Sequence, residues 1–260
     1  MNDVALDAAK AQGTDSWALF LDFDGTLVDI VERPDAVVVE PGLPGLLHHL
    51  RGRLGGALAL ISGRPIAFLD ERLAPYRFDA AGLHGIEHRM SGRLSPCRPK
   101  DHPALQAAIA RLKEIVAPHP GLIVEDKGCS VALHWRLAPH DADFARATMQ
   151  AMEEALGPDY RIQFGKAVAE ILPAASGKGR VIRTFLQSAA YRGRRPVFIG
   201  DDLTDEHGFE AVNACGGWSI RVGAGPTAAH SRLATPAALR RSLAAWAAGA
   251  PLTSTGIPPA

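Results

Sequence analysis

The chain has 260 residues, of which 47% are hydrophobic and 22% are charged. These fractions are close to globular averages, which excludes long disordered or fibrous architectures. The 28 basic residues balance the 28 acidic ones, so nucleic-acid and anionic-membrane partners are not expected. Residues 1–15 lack the hydrophobic segment of a signal peptide, and no hydrophobic run approaches the roughly 20 residues of a membrane span.

The three cysteines, Cys97, Cys129 and Cys215, are widely separated and form no CxxC pair. This spacing predicts neither a disulfide framework nor a thiolate zinc site, and it favours a reducing compartment. We therefore expect a cytoplasmic protein, and we also expect a monomer.

Short hydrophobic runs bounded by turn residues alternate with stretches of helical periodicity over most of the chain. Alternating buried strands and helices predict an α/β fold in which helices flank a parallel sheet. The predicted strands are 17–21, 57–61, 197–199 and 219–222, and the predicted helices are 44–54, 179–186 and 206–212.

The middle of the chain follows a different pattern. Residues 122–136 alternate in polarity around a Lys127-Gly128 turn, which predicts a β-hairpin. Residues 160–172 break at Gly165 in the manner of a second strand pair. Two strand pairs in this part of the chain indicate a separate antiparallel sheet.

Two predicted helices complete this small α+β unit, at residues 104–116 and 142–156. The unit interrupts the larger α/β pattern, so it is predicted to be an insertion. The predicted domains are a core of residues 1–92 and 173–260 and an inserted α+β cap of residues 93–172. The predicted loose ends are residues 1–14 and 251–260.

The strongest local motif, Asp22-Phe23-Asp24-Gly25-Thr26, directly follows the first predicted strand. Two carboxylates two residues apart repel one another, and the glycine allows backbone N–H groups to approach a ligand closely. A site of this kind requires a cation.

A second acidic cluster, formed by Asp201, Asp202 and Asp205, follows another predicted strand. Because parallel strands end at one edge of a sheet, both acidic clusters are expected to line one crevice. Ser62 also follows a predicted strand, and Lys178 opens a predicted helix, from where its ammonium group could reach an anion. These residue types indicate a site for a hard cation and a phosphate group.

The order of these motifs resembles that of the haloacid-dehalogenase superfamily of Mg²⁺-dependent phosphohydrolases, over nearly the whole chain. Five finer motifs resemble the trehalose-6-phosphate phosphatase family: ALISGRP at 59–65, GLHGIE at 82–87, EDKG at 125–128, GKAVAEI at 165–171 and GDDLTDE at 200–206. The resemblance implies a Rossmann-like core with a cap domain. It also implies that Mg²⁺ is the cofactor and that trehalose 6-phosphate is hydrolysed to trehalose and phosphate, in trehalose biosynthesis.

The resemblance further implies four catalytic residues. Asp22 would attack phosphorus and form an aspartyl-phosphate, which water then hydrolyses. Asp24 would protonate the departing sugar oxygen and later activate that water. Ser62 and Lys178 would hold the transferring phosphoryl oxygens through charge-assisted hydrogen bonds.

Five aspartates form the implied metal site. Mg²⁺ would bind an Asp22 oxygen, the Asp24 backbone carbonyl and Asp201. Asp202 and Asp205 would orient the metal ligands or reach the metal through water, and which of Asp201 and Asp202 touches the metal stays open. Asp205 could instead serve only as the N-cap of the helix that follows.

Polar residues of the predicted cap fall two or four positions apart, which places each pair on one strand face. In the resembling family these cap positions select the sugar. The predicted sugar-binding residues are Glu125, Lys127, His134, Arg136, Lys166 and Glu170. Charged residues on one hairpin face can also simply face solvent. Arg64 is predicted to bind substrate, with pairing to a nearby acid as an equal alternative.

Two other functions stay open. Another sugar-phosphate phosphatase, or a phosphomutase, would share the core and differ in the cap. A non-catalytic phospho-acceptor would also use an aspartate and a metal, but it would need neither Asp24 nor an inserted domain.

One zinc-peptidase pattern is rejected. His84, Glu87 and His88 fit HxxEH, but that chemistry needs a helix to bring both histidines onto one face. Gly82 and Gly85 make a helix unfavourable there.

Overall fold

The structure is a computed structural model that describes residues 17–31 and 36–250. It divides into two compact units, the first comprising Met1–Leu94 and Gly177–Ala260 and the second comprising Ser95–Ser176. The predicted loose ends, residues 1–14 and 251–260, lie outside the described residues. No helix in the described part of the chain is long and hydrophobic enough to cross a membrane.

The regular elements are numbered in chain order. The strands are β1 (Trp17–Leu21), β2 (Leu58–Ile61), β3 (Asp79–Gly82), β4 (Glu87–Met90), β5 (Arg93–Ser95), β6 (Ile123–Asp126), β7 (Val131–His134), β8 (Tyr160–Gly165), β9 (Val168–Pro173), β10 (Arg195–Gly200), β11 (Trp218–Val222) and β12 (Ser231–Leu233). The helices are α1 (Leu43–Arg53), α2 (Ile66–Arg72), α3 (Pro103–Val116), α4 (Ala142–Leu156), α5 (Lys178–Gln187), α6 (Glu206–Ala214) and α7 (Pro236–Ala247).

The first unit is built on an eight-stranded sheet with the strand order β12-β11-β10-β1-β2-β3-β4-β5. Strand β1 runs parallel to β2 and β10, and the parallel pairing continues to β3 on one side and to β11 and β12 on the other. Strand β4 pairs with β3 in the antiparallel direction. The predicted parallel sheet is therefore confirmed, and the carboxyl ends of its parallel strands share one edge.

The central strands form where the sequence is continuously hydrophobic. Every residue of β2 is buried, as are the last four of β1, which is typical of strands covered on both faces. The sequence prediction missed β3, β4, β5 and β12. Strand β3 reads DAAG and has no β-branched or aromatic residue, so its strand propensity is low.

Three buried aromatic rings fix α5 against the sheet. Phe20 of β1 lies 5.9 Å from Phe185 of α5 and 5.5 Å from Tyr191, measured between ring centroids. Each such pair adds about 0.5–1.5 kcal/mol to the stability gained by burial. This packing holds α5 so that its first residue, Lys178, faces the carboxyl end of β1.

The second unit contains a four-stranded antiparallel sheet with the order β6-β7-β9-β8. Helices α3 and α4 contribute Leu105, Ile109 and Met149 to a separate hydrophobic core. The predicted hairpin, the second strand pair and both predicted helices are present. Helix α4 begins and ends at the predicted residues.

The structure contradicts the predicted absence of a disulfide. Cys97 and Cys129 are bonded within the second unit, with their Cα atoms 6.0 Å apart. Their separation of 32 residues carried no sign of this proximity, because the fold brings the segment before α3 onto the β6–β7 turn. Cys215 is a free, exposed thiol. The cysteines therefore give no indication of a reducing compartment, and a cytoplasmic location stays a prediction.

Candidate active site

The DFDGT motif forms a tight loop at the carboxyl end of β1. The Asp22 N–H continues the sheet by donating to the Ile199 carbonyl of β10 at 2.9 Å. Gly25 has φ +76°, and a Cβ atom there would lie 2.1 Å from Asp201 Oδ2. Only glycine lets the two acidic loops approach this closely.

Lys178 joins the two acidic loops. Its ammonium group donates to Asp22 Oδ1 at 2.7 Å and to Asp205 Oδ1 at 2.6 Å. All three side chains are buried, with exposed fractions of 6% or less. A buried ammonium between two carboxylates is a strong, directional constraint, because its removal would leave both carboxylates out of water without their cation.

Asp205 also fixes the backbone of its own loop. Its Oδ2 accepts hydrogen bonds from the N–H groups of Asp201 and Asp202, both at 3.0 Å. The Asp202 carboxylate accepts from the Leu203 N–H at 2.7 Å and lies exposed. Asp202 is therefore engaged in capping the short helical turn that precedes α6, and the structure does not bring its carboxylate into the acidic cluster.

Asp22, Asp201 and Asp205 form a group that could hold a metal ion, with one carboxylate oxygen of each lying within 4.8 Å of the others. Thr26 Oγ1 lies 3.2 Å from both Asp22 Oδ2 and Asp201 Oδ1. Its single proton can bridge to only one of them at a time. Sequence reasoning did not single out Thr26, although it belongs to the same motif.

The electrostatics of this group favour a bound cation. Burial raises the pKa of Asp22 well above its ordinary value, since desolvation outweighs the contact with Lys178. Burial and the Asp205 carboxylate raise the pKa of Asp201 to about 6. Burial alone would lower the pKa of Lys178, but the carboxylates of Asp205 and Asp22 outweigh it and raise that pKa. Desolvated oxygen donors of this kind fit a hard divalent ion.

Arg64 pairs with Asp24. Its Nε donates to Asp24 Oδ2 at 2.8 Å, and its second guanidinium nitrogen donates to Asp24 Oδ1 at 2.9 Å. The Arg64 N–H donates to Ser62 Oγ at 3.1 Å, and Ser62 is buried at the end of β2. Of the two possibilities for Arg64, substrate binding or pairing with a nearby acid, this structure shows the pairing. Ser62, Arg64 and Asp24 form one connected set.

A polar cluster lies on the sheet of the second unit. Glu125 Oε2 contacts His134 Nε2 at 2.9 Å, and Lys127 donates to Glu170 Oε2 at 2.9 Å. Lys127 also lies 3.9 Å from Glu125. The hydrogen bond with His134 is the main cause that lowers the pKa of Glu125, against the effect of burial. Four of the six predicted sugar-binding residues are thus brought together.

The other two predicted cap residues lie apart. Arg136 and Lys166 are exposed on the turns that follow β7 and β8. The sequence prediction did not include Arg161 of β8 among the polar residues of this unit that lie near Glu170. Burial lowers the pKa of Arg161, and nearby Glu170 partly opposes that shift. Its charge inside an alternating strand was the available signal.

The rejected zinc pattern does not form the required helix. Leu83–Gly85 is a single 3₁₀ turn, and Glu87 and His88 continue into strand β4. Glu87 Oε1 accepts from the Ile66 N–H at 2.6 Å, so it holds the start of α2.

The parallel sheet carries the DFDGT loop at the carboxyl ends of its strands, with the serine, the lysine and the second acidic loop beside it. This is the core arrangement that the resemblance to the haloacid-dehalogenase superfamily implies. Residues 20–238 match the family model described as trehalose-phosphatase. The chain belongs to the trehalose-phosphatase family.

Individual proteins of this family are similar to the chain in sequence and in fold. A probable trehalose-phosphate phosphatase of Sinorhizobium fredii is 46% identical over 251 residues, which cover 92% of this chain and 91% of the relative. The trehalose-6-phosphate phosphatase of Escherichia coli K12 is 43% identical over 219 residues, covering 84% and 82%. The C-terminal domain of trehalose-6-phosphate phosphatase from C. albicans superposes with a TM-score of 0.80 over 95% of this chain and 97% of the domain. At 22% identity, this last match supports the fold alone.

Proposed function

We propose that the protein is a Mg²⁺-dependent phosphatase that hydrolyses trehalose 6-phosphate to trehalose and inorganic phosphate. The observation that carries this proposal is the buried Asp22 carboxylate, held by Lys178 at 2.7 Å beside Asp201 at the open edge of the sheet. The names of the two bacterial relatives support the substrate. A role in trehalose biosynthesis, a cytoplasmic location and a monomeric state belong to the same proposal.

Asp22 is the proposed nucleophile. One of its carboxylate oxygens forms a bond to phosphorus while the bond between phosphorus and the sugar oxygen breaks, which gives an aspartyl-phosphate and free trehalose. Lys178 orients the Asp22 carboxylate and carries positive charge toward the phosphoryl oxygens. Ser62 donates its hydroxyl hydrogen to one of those oxygens.

Asp24 is the proposed acid and base. It gives its proton to the departing sugar oxygen, and it then takes a proton from the water that attacks phosphorus and regenerates Asp22. Arg64 covers both Asp24 oxygens in this structure, so the pair must open or shift before Asp24 can carry a proton. Arg64 is then available to bind the phosphoryl group, which its planar guanidinium suits.

The donor set fits Mg²⁺. Asp22, Asp201 and the Asp24 backbone carbonyl would hold the ion, since all are hard oxygen donors. Both oxygens of Asp205 already accept hydrogen bonds, so Asp205 would position Lys178 and the loop, and Asp202 would act through water. When bound, the ion would neutralise negative charge on the phosphoryl oxygens.

The second unit, predicted as the cap over residues 93–172, is the proposed sugar-selecting domain. Its polar cluster offers alternating carboxylate and cationic groups, which hydrogen-bond sugar hydroxyls well. The proposed contacts are Glu125, Lys127, His134 and Glu170, with Arg136 and Lys166 as further candidates from the adjoining turns.

Phosphate release measured on several substrates tests the proposal. With MgCl₂, we expect fast release from trehalose 6-phosphate, slow release from glucose 6-phosphate and mannose 6-phosphate, and none after EDTA treatment. Asp22→Ala should abolish release while the fold persists. Preferential release from the monosaccharide phosphates would overturn the substrate, and transfer of the phosphoryl group to another sugar position would indicate a phosphomutase.

The sugar contacts have their own test. Lys127→Ala should raise KM for trehalose 6-phosphate by about tenfold, the effect of roughly one charge-assisted hydrogen bond, and leave p-nitrophenyl phosphate hydrolysis unchanged. Lys113→Ala is the matched control, because Lys113 pairs with Asp126 on an exposed face of the same unit. Equal effects of Lys127→Ala on trehalose 6-phosphate and p-nitrophenyl phosphate would contradict the proposal that Lys127 binds the sugar.

A further inference from the structure

The short turn between β3 and β4 has an unusual backbone. His84 has φ 56° and ψ 28°, and the preceding Leu83 has φ 51°. This left-handed region is sparsely populated by residues other than glycine, and it costs free energy unless the surroundings hold it. Two consecutive residues in this conformation indicate that the turn is fixed by its contacts.

The contacts of this turn are with two loops of the active site. The His84 N–H donates to the Ser62 carbonyl at 3.0 Å, and the His84 carbonyl accepts from the Gly177 N–H at 2.8 Å. Gly177 directly precedes Lys178. His84 therefore joins, through its backbone, the loop that carries Ser62 to the start of the helix that carries Lys178.

The imidazole ring makes a second contact with the same loop. A Cβ atom at Gly63 would lie 2.8 Å from both Cε1 and Nε2 of His84. The ring thus rests directly on the backbone of Gly63, at a distance that no other residue type allows without displacing it. Gly63 stands between Ser62 and Arg64, the residues that connect to Asp24.

We propose that His84 is a positioning residue for phosphoryl transfer, an inference that rests on the proposed phosphatase function. Its backbone sets the spacing between Ser62 and Lys178. Its ring presses on Gly63 and so fixes the direction in which the Ser62 hydroxyl and the Arg64 guanidinium point. Both groups act on charge that develops in the transition state, so their alignment affects turnover more than substrate binding.

Four variants test this proposal: His84→Asn, His84→Gly, Gly63→Ala, and the double variant of Gly63→Ala with His84→Gly. Asparagine and glycine both tolerate the left-handed backbone, so they remove the ring and spare the turn. We expect His84→Asn to lower kcat for trehalose 6-phosphate by about 10–100-fold, as for misplaced catalytic groups, with KM within about threefold. Orthovanadate binding, measured by calorimetry, should weaken by about tenfold.

The ring contact itself is tested by a double-mutant cycle. Gly63→Ala should reduce kcat, because its methyl group displaces the ring. In the Gly63→Ala background, His84→Gly should lower kcat clearly less than it does in the parent, because the added methyl group has already displaced the ring. An equal fold-loss of kcat from His84→Gly in the parent and in Gly63→Ala would overturn the contact. A Gly63→Ala protein that fails to fold leaves the His84→Asn and His84→Gly comparisons decisive.

His88→Asn is the matched control, since His88 is a half-buried histidine on the adjoining strand β4, and its kcat should match the parent. Melting temperatures of all variants separate a loss of alignment from a loss of stability. If the parent is active and His84→Asn changes kcat by less than twofold, the role inferred for His84 is overturned and the proposed function stands. A parent that releases phosphate from no sugar phosphate overturns the proposed function, and the inference with it.

Discussion

Arg64 contacts both carboxylate oxygens of Asp24, at 2.8 and 2.9 Å. The pair is partly exposed, with 22% of the Arg64 side chain and 32% of the Asp24 side chain accessible. A residue proposed to deliver a proton to the sugar oxygen is thus paired with a permanent cation. In the proposed mechanism, the arriving phosphoryl group gives Arg64 a second anion to bind, and substrate binding is thereby coupled to the release of Asp24.

This coupling predicts non-additive effects of substitution. Asp24→Asn should lower kcat by about 10²–10⁴-fold, the contribution of a general acid and base. Arg64→Ala should lower kcat/KM by about 10–100-fold in the parent and by clearly less when Asp24→Asn is already present. Steady-state phosphate release by the two single variants and the double variant measures the coupling.

Asp29→Asn serves as the control for this cycle, because Asp29 is an exposed acid just beyond the same loop, and it should leave kcat unchanged. An Arg64→Ala effect of equal size in both backgrounds would show that Arg64 acts independently of Asp24.

Gly25→Ala should damage the metal site. The added Cβ would meet Asp201 Oδ2 at 2.1 Å and push the two acidic loops apart. We expect the Mg²⁺ concentration for half-maximal activity to rise by about 10–100-fold, as when groups that orient metal ligands are lost. Gly56→Ala shares the cost of a positive φ but meets no atom within 4 Å, so its Mg²⁺ dependence should equal that of the parent. Equal Mg²⁺ dependence of both variants would contradict the proposed site.

The ionised Glu125 side chain predicts a pH dependence of the folding stability. Its pKa is lowered in the folded protein, chiefly by the hydrogen bond with His134. A lowered carboxyl pKa means that the unfolded state binds more protons than the folded state. The stabilising effect of the Glu125 carboxylate is therefore present above the ordinary pKa of 4.5 and is lost as pH falls through the folded value.

Thermal unfolding as a function of pH measures this effect. Glu125→Gln should be less stable than the parent near pH 7 by about 0.2–1 kcal/mol, the range for partly exposed pairs, and the difference should vanish near pH 3. Glu114→Gln, on the exposed side of α3, is the control. A constant difference between the parent and Glu125→Gln from pH 3 to 7 would rule out the ionised Glu125 as its source.

The Cys97–Cys129 disulfide predicts how many free thiols the denatured protein contains. Denatured protein kept free of reductant should titrate one thiol, that of Cys215, and three after reduction. Closing a loop of 32 residues restricts the unfolded chain and is worth up to about 3–4 kcal/mol. Cys97→Ser should therefore lower the unfolding midpoint of the oxidised protein, while Cys215→Ser should not. Three free thiols before reduction would contradict the bond.

The sequence predicted most elements whose signal is local. The uninterrupted hydrophobic run of β1 and the helical periodicity of α4 gave both elements correctly to their terminal residues. Strand β3 was missed because two alanines and a glycine carry no strand preference, and it forms a strand because β2 and β4 pair with it on either side. The disulfide was missed for the same reason, since it depends on the folded path between Cys97 and Cys129.

The sequence could predict which loops form the candidate site, but it could not predict the individual side-chain contacts within it. The shared ends of parallel strands were sufficient to predict that Asp22, Ser62 and Asp201 lie at one edge of the sheet. Sequence spacing could not distinguish Asp202, which caps a helical turn, from Asp205, whose carboxylate binds Lys178 and two amides. The role of His84 was also invisible, because it depends on a backbone conformation and on the absence of a side chain at Gly63.

The acids, serine and lysine proposed for phosphorus chemistry all come from the first unit, whereas the polar cluster proposed for the sugar comes from the second. The residues proposed for the reaction and those proposed for substrate choice are therefore encoded by separate stretches of the gene. On this proposal, substitutions in the second unit change the accepted carbohydrate and leave every residue proposed for the phosphorus chemistry in place, so relatives can differ in substrate while they share one reaction.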